Sequence, residues 1–234
     1  MNFKVIGNGN LMTDAFYTAF LLDNVLINAP SGVLKELKRY EVDFDDINII
    51  IVTHLHGEEY FDLPNIIAHE AKRKREKPLV IIGPKDLKKA TIKLMRMAFN
   101  KDFLSDLEIT FLNAETVQNA NLTSEYYFSF INIKHGNLKN CFGLIIKSDR
   151  AGVCFSAGAN ISPGLSYMLK EVKNCVITVG DNDDKDTLTL DDFKDLSEYF
   201  PINYFPVGYP DELISKIEGI RNAKIIKDGE QFYI

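Results

Sequence analysis

The stretch Ile47-Asn48-Ile49-Ile50-Ile51-Val52-Thr53-His54-Leu55-His56-Gly57-Glu58-Glu59 decides how the chain is read. Residues 47–52 form an apolar run broken by one Asn, the signature of a strand covered on both faces. The run ends directly in His-x-His. A spacing of two puts both imidazoles on one side of extended backbone, where their nitrogens converge on a single cation. Two carboxylates follow at once, and the open end of a buried strand is where α/β folds place ligands. Only four histidines occur in the chain, so His135 is the third candidate ligand. It stands at the end of a strand-like segment and precedes Gly136. His69, within a Lys- and Arg-rich helical stretch, reads as a solvated or capping residue.

Working outward, the N-terminal part predicts strands at 3–7, 16–22 and 25–28, with Asp23-Asn24 as the turn. A helix follows Pro30-Ser31-Gly32, with Ser31 as its expected N-cap. Further helices are predicted over 64–74 and 84–99, flanking a strand at 78–82. Strands return at 107–112, 126–134, 141–148 and 152–155. A helix at 165–172, a strand at 175–179 and a helix at 190–199 come next. The chain closes with a strand at 203–207, a helix at 211–221 and strand segments at 224–227 and 231–234. Two strand-rich halves, each followed by helices, imply two sheets face to face with helices outside. That order excludes an all-helical or all-strand protein but does not by itself exclude a doubly wound sheet.

Composition narrows the function classes. The 234 residues are 46% hydrophobic and 26% charged, ordinary for a globular chain with a sizeable core. Lys+Arg 27 against Asp+Glu 33 gives a net charge of -6, which argues against general nucleic-acid binding. No apolar run reaches the roughly 18 residues of a membrane span, and Met1-Asn2-Phe3-Lys4-Val5 is not a secretory leader, so a cytoplasmic protein is expected. Cys141, Cys154 and Cys175 lie in apolar stretches without metal-ligand spacing and read as reduced core residues. Gly7-Asn8-Gly9-Asn10 lacks the third glycine of a dinucleotide fingerprint. The basic run Lys72-Arg73-Lys74-Arg75 with Lys77 reads as a solvated helix face, and the acidic run over residues 181–186 as a solvated turn without calcium-loop spacing. Tyr126-Tyr127-Phe128 with Phe130 reads as core and sheet surface.

The chain resembles the metallo-β-lactamase superfamily, in particular its ribonuclease Z branch. Residues 3–9 look like the opening strand and glycine turn, and 26–32 like a segment that usually reads Leu-Ile-Asp-Cys-Gly-x-Gly. Residues 47–64 resemble the signature strand with Thr-His-x-His-x-Asp-His-x-x-Gly-Leu-Pro. Pro78 to Pro84 is similar to a Pro-Leu-x-Ile-x-Gly-Pro turn, His135 with 141–144 to the third motif, and 154–160 to the Ser/Thr-Gly-Asp-Thr turn. The resemblance implies a four-layer αββα sandwich, an α+β fold, with 1–234 as a single domain. It also implies that His54, His56 and His135 hold one metal. The positions specific to a second metal read Glu58, Glu59, Gly208 and Ala159, so the bridging Asp is gone. Asn28 replaces the usual acid behind the site.

Two function classes follow. In the first, the chain is a divergent hydrolase of phosphodiesters or other esters, or of a small molecule, using one divalent metal on His54, His56 and His135. Zinc is the first expectation, with manganese or iron as harder alternatives favoured by Glu59 as accessory ligand. Glu58 is then the general base. In the second, the chain keeps the fold as a catalytically inactive binding or scaffold protein without a required cofactor. A homodimer is compatible with either, and no insertion long enough for a transfer-RNA-gripping arm is present.

Overall fold

A computed structural model describes residues 1–181 and 183–234. In chain order the first sheet is built from β1 (Asn2–Gly7), β2 (Ala19–Leu22) and β3 (Val25–Ile27). Helix α1 (Val33–Arg39) follows, then β4 (Ile49–Ile51), α2 (Gly57–Tyr60), α3 (Leu63–Arg73), β5 (Leu79–Gly83), α4 (Leu87–Phe99) and β6 (Ile109–Asn113). The second half comprises α5 (Ala114–Val117), β7 (Asn119–Asn121), β8 (Tyr127–Asn132), β9 (Phe142–Lys147), β10 (Gly152–Phe155), α6 (Pro163–Glu171) and β11 (Asn174–Thr178). It ends with α7 (Leu190–Tyr199), β12 (Asn203–Val207), α8 (Ile214–Glu218) and β13 (Gln231–Tyr233).

The sheets have strand orders β13-β1-β2-β3-β4-β5-β6 and β12-β11-β10-β9-β8-β7. β3 through β6 pair in parallel, as do β10, β11 and β12, while the remaining pairs are antiparallel. Between the sheets lies a dry layer containing Phe3, Phe20, Phe128, Phe142, Phe155 and Val176. A second apolar layer joins the outer face of the first sheet to α1, α3 and α4, and a third joins the second sheet to α6, α7 and α8. This is the four-layer αββα sandwich. Ile49 and Ile51 face the inter-sheet core, whereas Ile50 and Val52 face the helices. That explains why the run lacks polar alternation. No helix is long and apolar enough to cross a membrane.

Several local expectations change. The N-cap of α1 is Gly32, with φ 89° and no side-chain cap. Buried Asp62 substitutes for Ser31 from outside the helix, its Oδ2 accepting the Leu34 N–H at 2.8 Å. Residues 224–227 form no strand. α2, α5 and β7 are single-turn or three-residue elements, too short for a periodic signal.

The basic run is not uniformly solvated. Arg75 is buried and donates to the carbonyls of Phe44 (2.7 Å), Ile47 (2.8 Å) and Lys77 (2.7 Å), and to Glu70 Oε2 at 3.2 Å. It ties the end of α3 to the entry of β4. His69 is half-buried beside it, its Nδ1 2.7 Å from Glu70 Oε1. Removing one partner of a buried, hydrogen-bonded ion pair costs about 3–5 kcal/mol. Arg75→Ala should therefore lower the unfolding free energy by about 3 kcal/mol, read by urea denaturation. Arg73→Ala, in a half-exposed pair, should cost about 1 kcal/mol or less.

Candidate metal centre

The end of β4 delivers Thr53, His54 and His56 into a cleft at one edge of the two sheets, and the loop after β8 brings His135 to meet them. His54 Nε2 lies 3.2 Å from His56 Nδ1, and His135 Nε2 lies 3.3 Å from the same nitrogen. All three ligand atoms fall within 4.8 Å of one another. Nitrogens around one tetrahedral zinc are separated by roughly 3.3–3.4 Å, given metal–nitrogen bonds of about 2.0–2.1 Å. The three side chains fit one divalent ion.

Two of the rings are fixed from behind. Thr53 Oγ1 donates to Asn28 Oδ1 at 3.2 Å, so the hydroxyl oxygen faces His54 Nδ1, 3.0 Å away, as an acceptor. His54 then carries its proton on Nδ1 and aims the Nε2 lone pair into the cluster. His135 Nδ1 donates to the carbonyl of Asp186 at 2.6 Å, which fixes its Nε2 in the same way. Asn28 thus retains a place behind the centre, acting through Thr53 rather than as an acid. His54 and His135 are buried, while His56 is partly exposed. Burial, reinforced by the neighbouring His135 and His56, holds the His54 pKa well below 6.5 and keeps the ring neutral. Burial lowers that of His56 too, opposed by Asp186.

Glu59 meets the cluster at His54, with Oε2 3.3 Å from Nε2, and this buried oxygen accepts no hydrogen bond. Burial, then the adjacent Glu58, raise its pKa well above 4.5. Glu58 lines the cleft, takes the backbone N–H of Leu11 and keeps Oε1 buried and unpartnered. Its pKa is raised by burial, opposed by that hydrogen bond and by His135.

Ala159 is buried beneath α6, and the turn residue that faces the histidines is Gly158: a Cβ there would lie 2.9 Å from His135 Cε1. Gly208 lines the opposite wall, again without a side chain. Sequence reading missed that Asp184 and Asp186, in a turn that is otherwise solvated as expected, also line the cleft, Asp186 remaining exposed; Asn182, in the same run, lies outside the described residues. Asn160 secures this loop, its side-chain amide donating to Lys185 O and Thr187 O while Oδ1 accepts the Gly136 N–H. Only the proximity of Asp186 to a loop fastened by Asn160 reveals the role, and spacing carries no trace of it. Cys141 is buried near Glu59, its thiol pushed up to about 12 by burial and then by that carboxylate.

The family profile described as "Anti-Pycsar protein Apyc1" matches residues 1–230. The chain belongs to that family. Within the metallo-β-lactamase superfamily it sits in the ribonuclease Z-like branch. It is 27% identical over 129 residues to a ribonuclease Z of Agathobacter rectalis, covering 55% of this chain and 41% of that protein. To a ribonuclease Z of Clostridium novyi it is 36% identical over 63 residues, 27% of this chain and 20% of that protein. The matches thus span less than half of these curated relatives. The fold superposes on the metallo-β-lactamase fold protein YhfI of Bacillus subtilis with TM-score 0.78 and 14% identity, covering 99% and 98% of the two chains. Human tRNase Z, short form, gives 0.75 at 14% identity, covering 100% and 99%.

Within the family's fold, two variants separate orientation from charge. Thr53→Val keeps the volume but removes the acceptor for His54 Nδ1–H, and metal affinity measured by competition with a chelating dye should fall about 10–100-fold. Glu59→Gln acts in opposite directions. A carboxyl whose pKa is raised by folding contributes stability that is full below the unfolded value of about 4.5 and is lost as pH rises through the folded value. At pH 7 the metal-free variant should therefore melt higher, by about 2–4 °C for each kcal/mol recovered, while binding the metal more weakly.

Proposed function

We propose that the chain is a metal-dependent hydrolase of ester or phosphodiester bonds, using one divalent cation, zinc first, on His54, His56 and His135. The observation that carries this reading is the convergence of three imidazole nitrogens within 4.8 Å of one another, with His54 Nε2 and His135 Nε2 lying 3.2 and 3.3 Å from His56 Nδ1 and both of those rings fixed as lone-pair donors by hydrogen bonds behind them. The ribonuclease Z relatives and the solved diphosphatase of the PhnP family, with TM-score 0.75 at 13% identity, support hydrolytic chemistry. When bound, such an ion would polarise a carbonyl or phosphoryl oxygen and make water a better nucleophile near neutral pH.

The chain's own residues supply the rest. Glu58 offers the unpartnered Oε1 as the acceptor for a proton leaving the attacking water, and burial raises its basicity toward the useful range. Glu59 balances the cation's charge from beside His54. Thr53, Asn28 and the Asp186 carbonyl keep two rings from rotating away. The reduced second site follows from Gly158 and Gly208, which present no ligand atoms. This same absence favours a second reading, a fold that binds without turnover.

Metal analysis by mass spectrometry after zinc loading should find about one ion per chain, lost in His54→Ala and His135→Ala. Turnover of a chromogenic ester panel should stop with chelator and return with zinc. It should fall about 100- to 10,000-fold in Glu58→Gln without loss of the ion. A loaded protein inert across the panel selects the binding reading; a protein that takes up no zinc ends both the centre and the hydrolase.

A further inference from the structure

We propose that the outer face of α3 and α4 docks on a bilayer surface rich in anionic lipid. Charge is segregated along the chain. Residues 72–101 hold 11 of the 27 Lys and Arg but only two acids, Glu76 and Asp86. The remaining residues hold 16 basic side chains against 31 acidic ones, so a protein of net charge -6 carries one strongly basic segment. The fold gathers that segment on one side. α3 and α4 pack together over the first sheet and share the apolar layer of Ile66, Ile67, Leu87 and Met95.

The cations fall into two groups. Arg73, Arg75, Arg96 and Lys101 pair with Asp45, Glu70, Asp102 or Asp106, and Lys77 donates to the Asp45 carbonyl. Lys72, Lys74, Lys85, Lys88, Lys89 and Lys93 are exposed. Among the described residues none of these six pairs with a carboxylate. Lys89 and Lys93 lie one turn apart on α4, about 6 Å along its axis, and Lys85 precedes them by the same step in sequence. Met97, 75% exposed, continues the row. Inside the fold this arrangement only costs stability. Asp86 at the N-cap makes no capping hydrogen bond, and the first turn carries Lys88 and Lys89 but no acid, where the macrodipole favours one. Like charges at i,i+4 repel as well. An anionic surface outside relieves both.

The kind of surface follows from which cations are free. Every arginine of the segment is engaged, so no planar fork remains for bidentate phosphate recognition, and lysines act as point charges that suit a diffuse anionic plane. Single-stranded nucleic acid is held on aromatic platforms, whereas the segment's one aromatic residue, Phe99, is half-buried beside Phe103. An exposed methionine at the end of a basic row has an apolar destination in a bilayer and none on a phosphate backbone. The acids of α7 lie across the sandwich, beyond the roughly 10 Å over which charge acts at 0.1 M salt.

Cosedimentation of the purified protein with vesicles tests this, phosphatidylcholine alone against phosphatidylcholine with about 30% phosphatidylglycerol. The protein should bind the anionic vesicles at low salt, leave them at high salt and ignore the neutral ones. Lys89→Gln should weaken binding about fivefold, and Lys85→Gln, Lys88→Gln, Lys89→Gln and Lys93→Gln together at least about 50-fold. The urea midpoint should not fall, because Gln matches Lys in helix propensity. Met97→Ser should weaken binding several-fold. Lys194→Gln with Lys216→Gln, a control on α7 and α8, should leave it within about twofold. Absence of binding to the anionic vesicles, or equal loss in the control, overturns the inference. So does a short single- or double-stranded oligonucleotide that strips the protein from the vesicles at matched phosphate concentration, which assigns the face to nucleic acid instead.

Discussion

A neutral imidazole has one N–H and one lone pair, and the whole centre depends on where the N–H is spent. Two of the three rings spend it on fixed acceptors, the Thr53 hydroxyl and the Asp186 carbonyl. Once it is spent there, the lone pair has a single direction left, and the loops supply that direction with little freedom to lose on binding. A histidine cluster held together by packing alone would leave each ring free to choose its tautomer. Here the choice has been made by the backbone and by one threonine.

The acceptors are in place because of the sheets beneath them. β4 lies inside its sheet between β3 and β5, so Thr53 and His54 leave a strand held on both sides. The Phe142 N–H donates to Thr53 O across the two sheets, coupling the histidine pair to the strand that follows His135. The inter-sheet layer, with Phe20, Phe142 and Phe155, sets that separation. The second tie runs through Asn160, whose side chain spans from Gly136 to the 185–187 loop and so holds both His135 and its acceptor. A packing contact on one side and a polar clamp on the other fix the same ring.

What was legible in the sequence is what local chemistry announces. The strand and helix order implied two facing sheets with helices outside, the resemblance to the metallo-β-lactamase superfamily implied the four-layer sandwich, and the scarcity of histidines pointed to His135. What stayed hidden depends on contacts between distant residues. Arg75 looks like one basic residue among several, and only the carbonyls left over at the entry of β4 make it a buried staple. Asp62 caps a helix that begins nearly thirty positions earlier, invisible to a rule about neighbouring residues. The acidic run around Asp186 has the composition of a solvated turn, and it enters the cleft only because Asn160 fastens it there. At the turn over residues 154–160 the residue that abuts His135 is Gly158 and not Ala159, which only backbone φ and burial disclose.

The glycines on the far side of the cleft show how firmly the present arrangement is set. Gly158 has φ 77° and Gly208 has φ 66°, both in the left-handed region where L side chains pay roughly 1 kcal/mol or more. At Gly158 strain is joined by collision, because a Cβ would press on the His135 ring at 2.9 Å from Cε1 and 3.0 Å from Nδ1. An acid introduced there would displace the very ring whose lone pair the Asp186 carbonyl orients. A side chain at position 158 would therefore disturb the histidine cluster, whereas a Cβ at Gly208 would meet only Thr178 Cγ2, at 3.1 Å, besides the cost of its positive φ. The backbone that sets His135 against Gly158 leaves a carboxylate at position 158 no room unless that ring gives way.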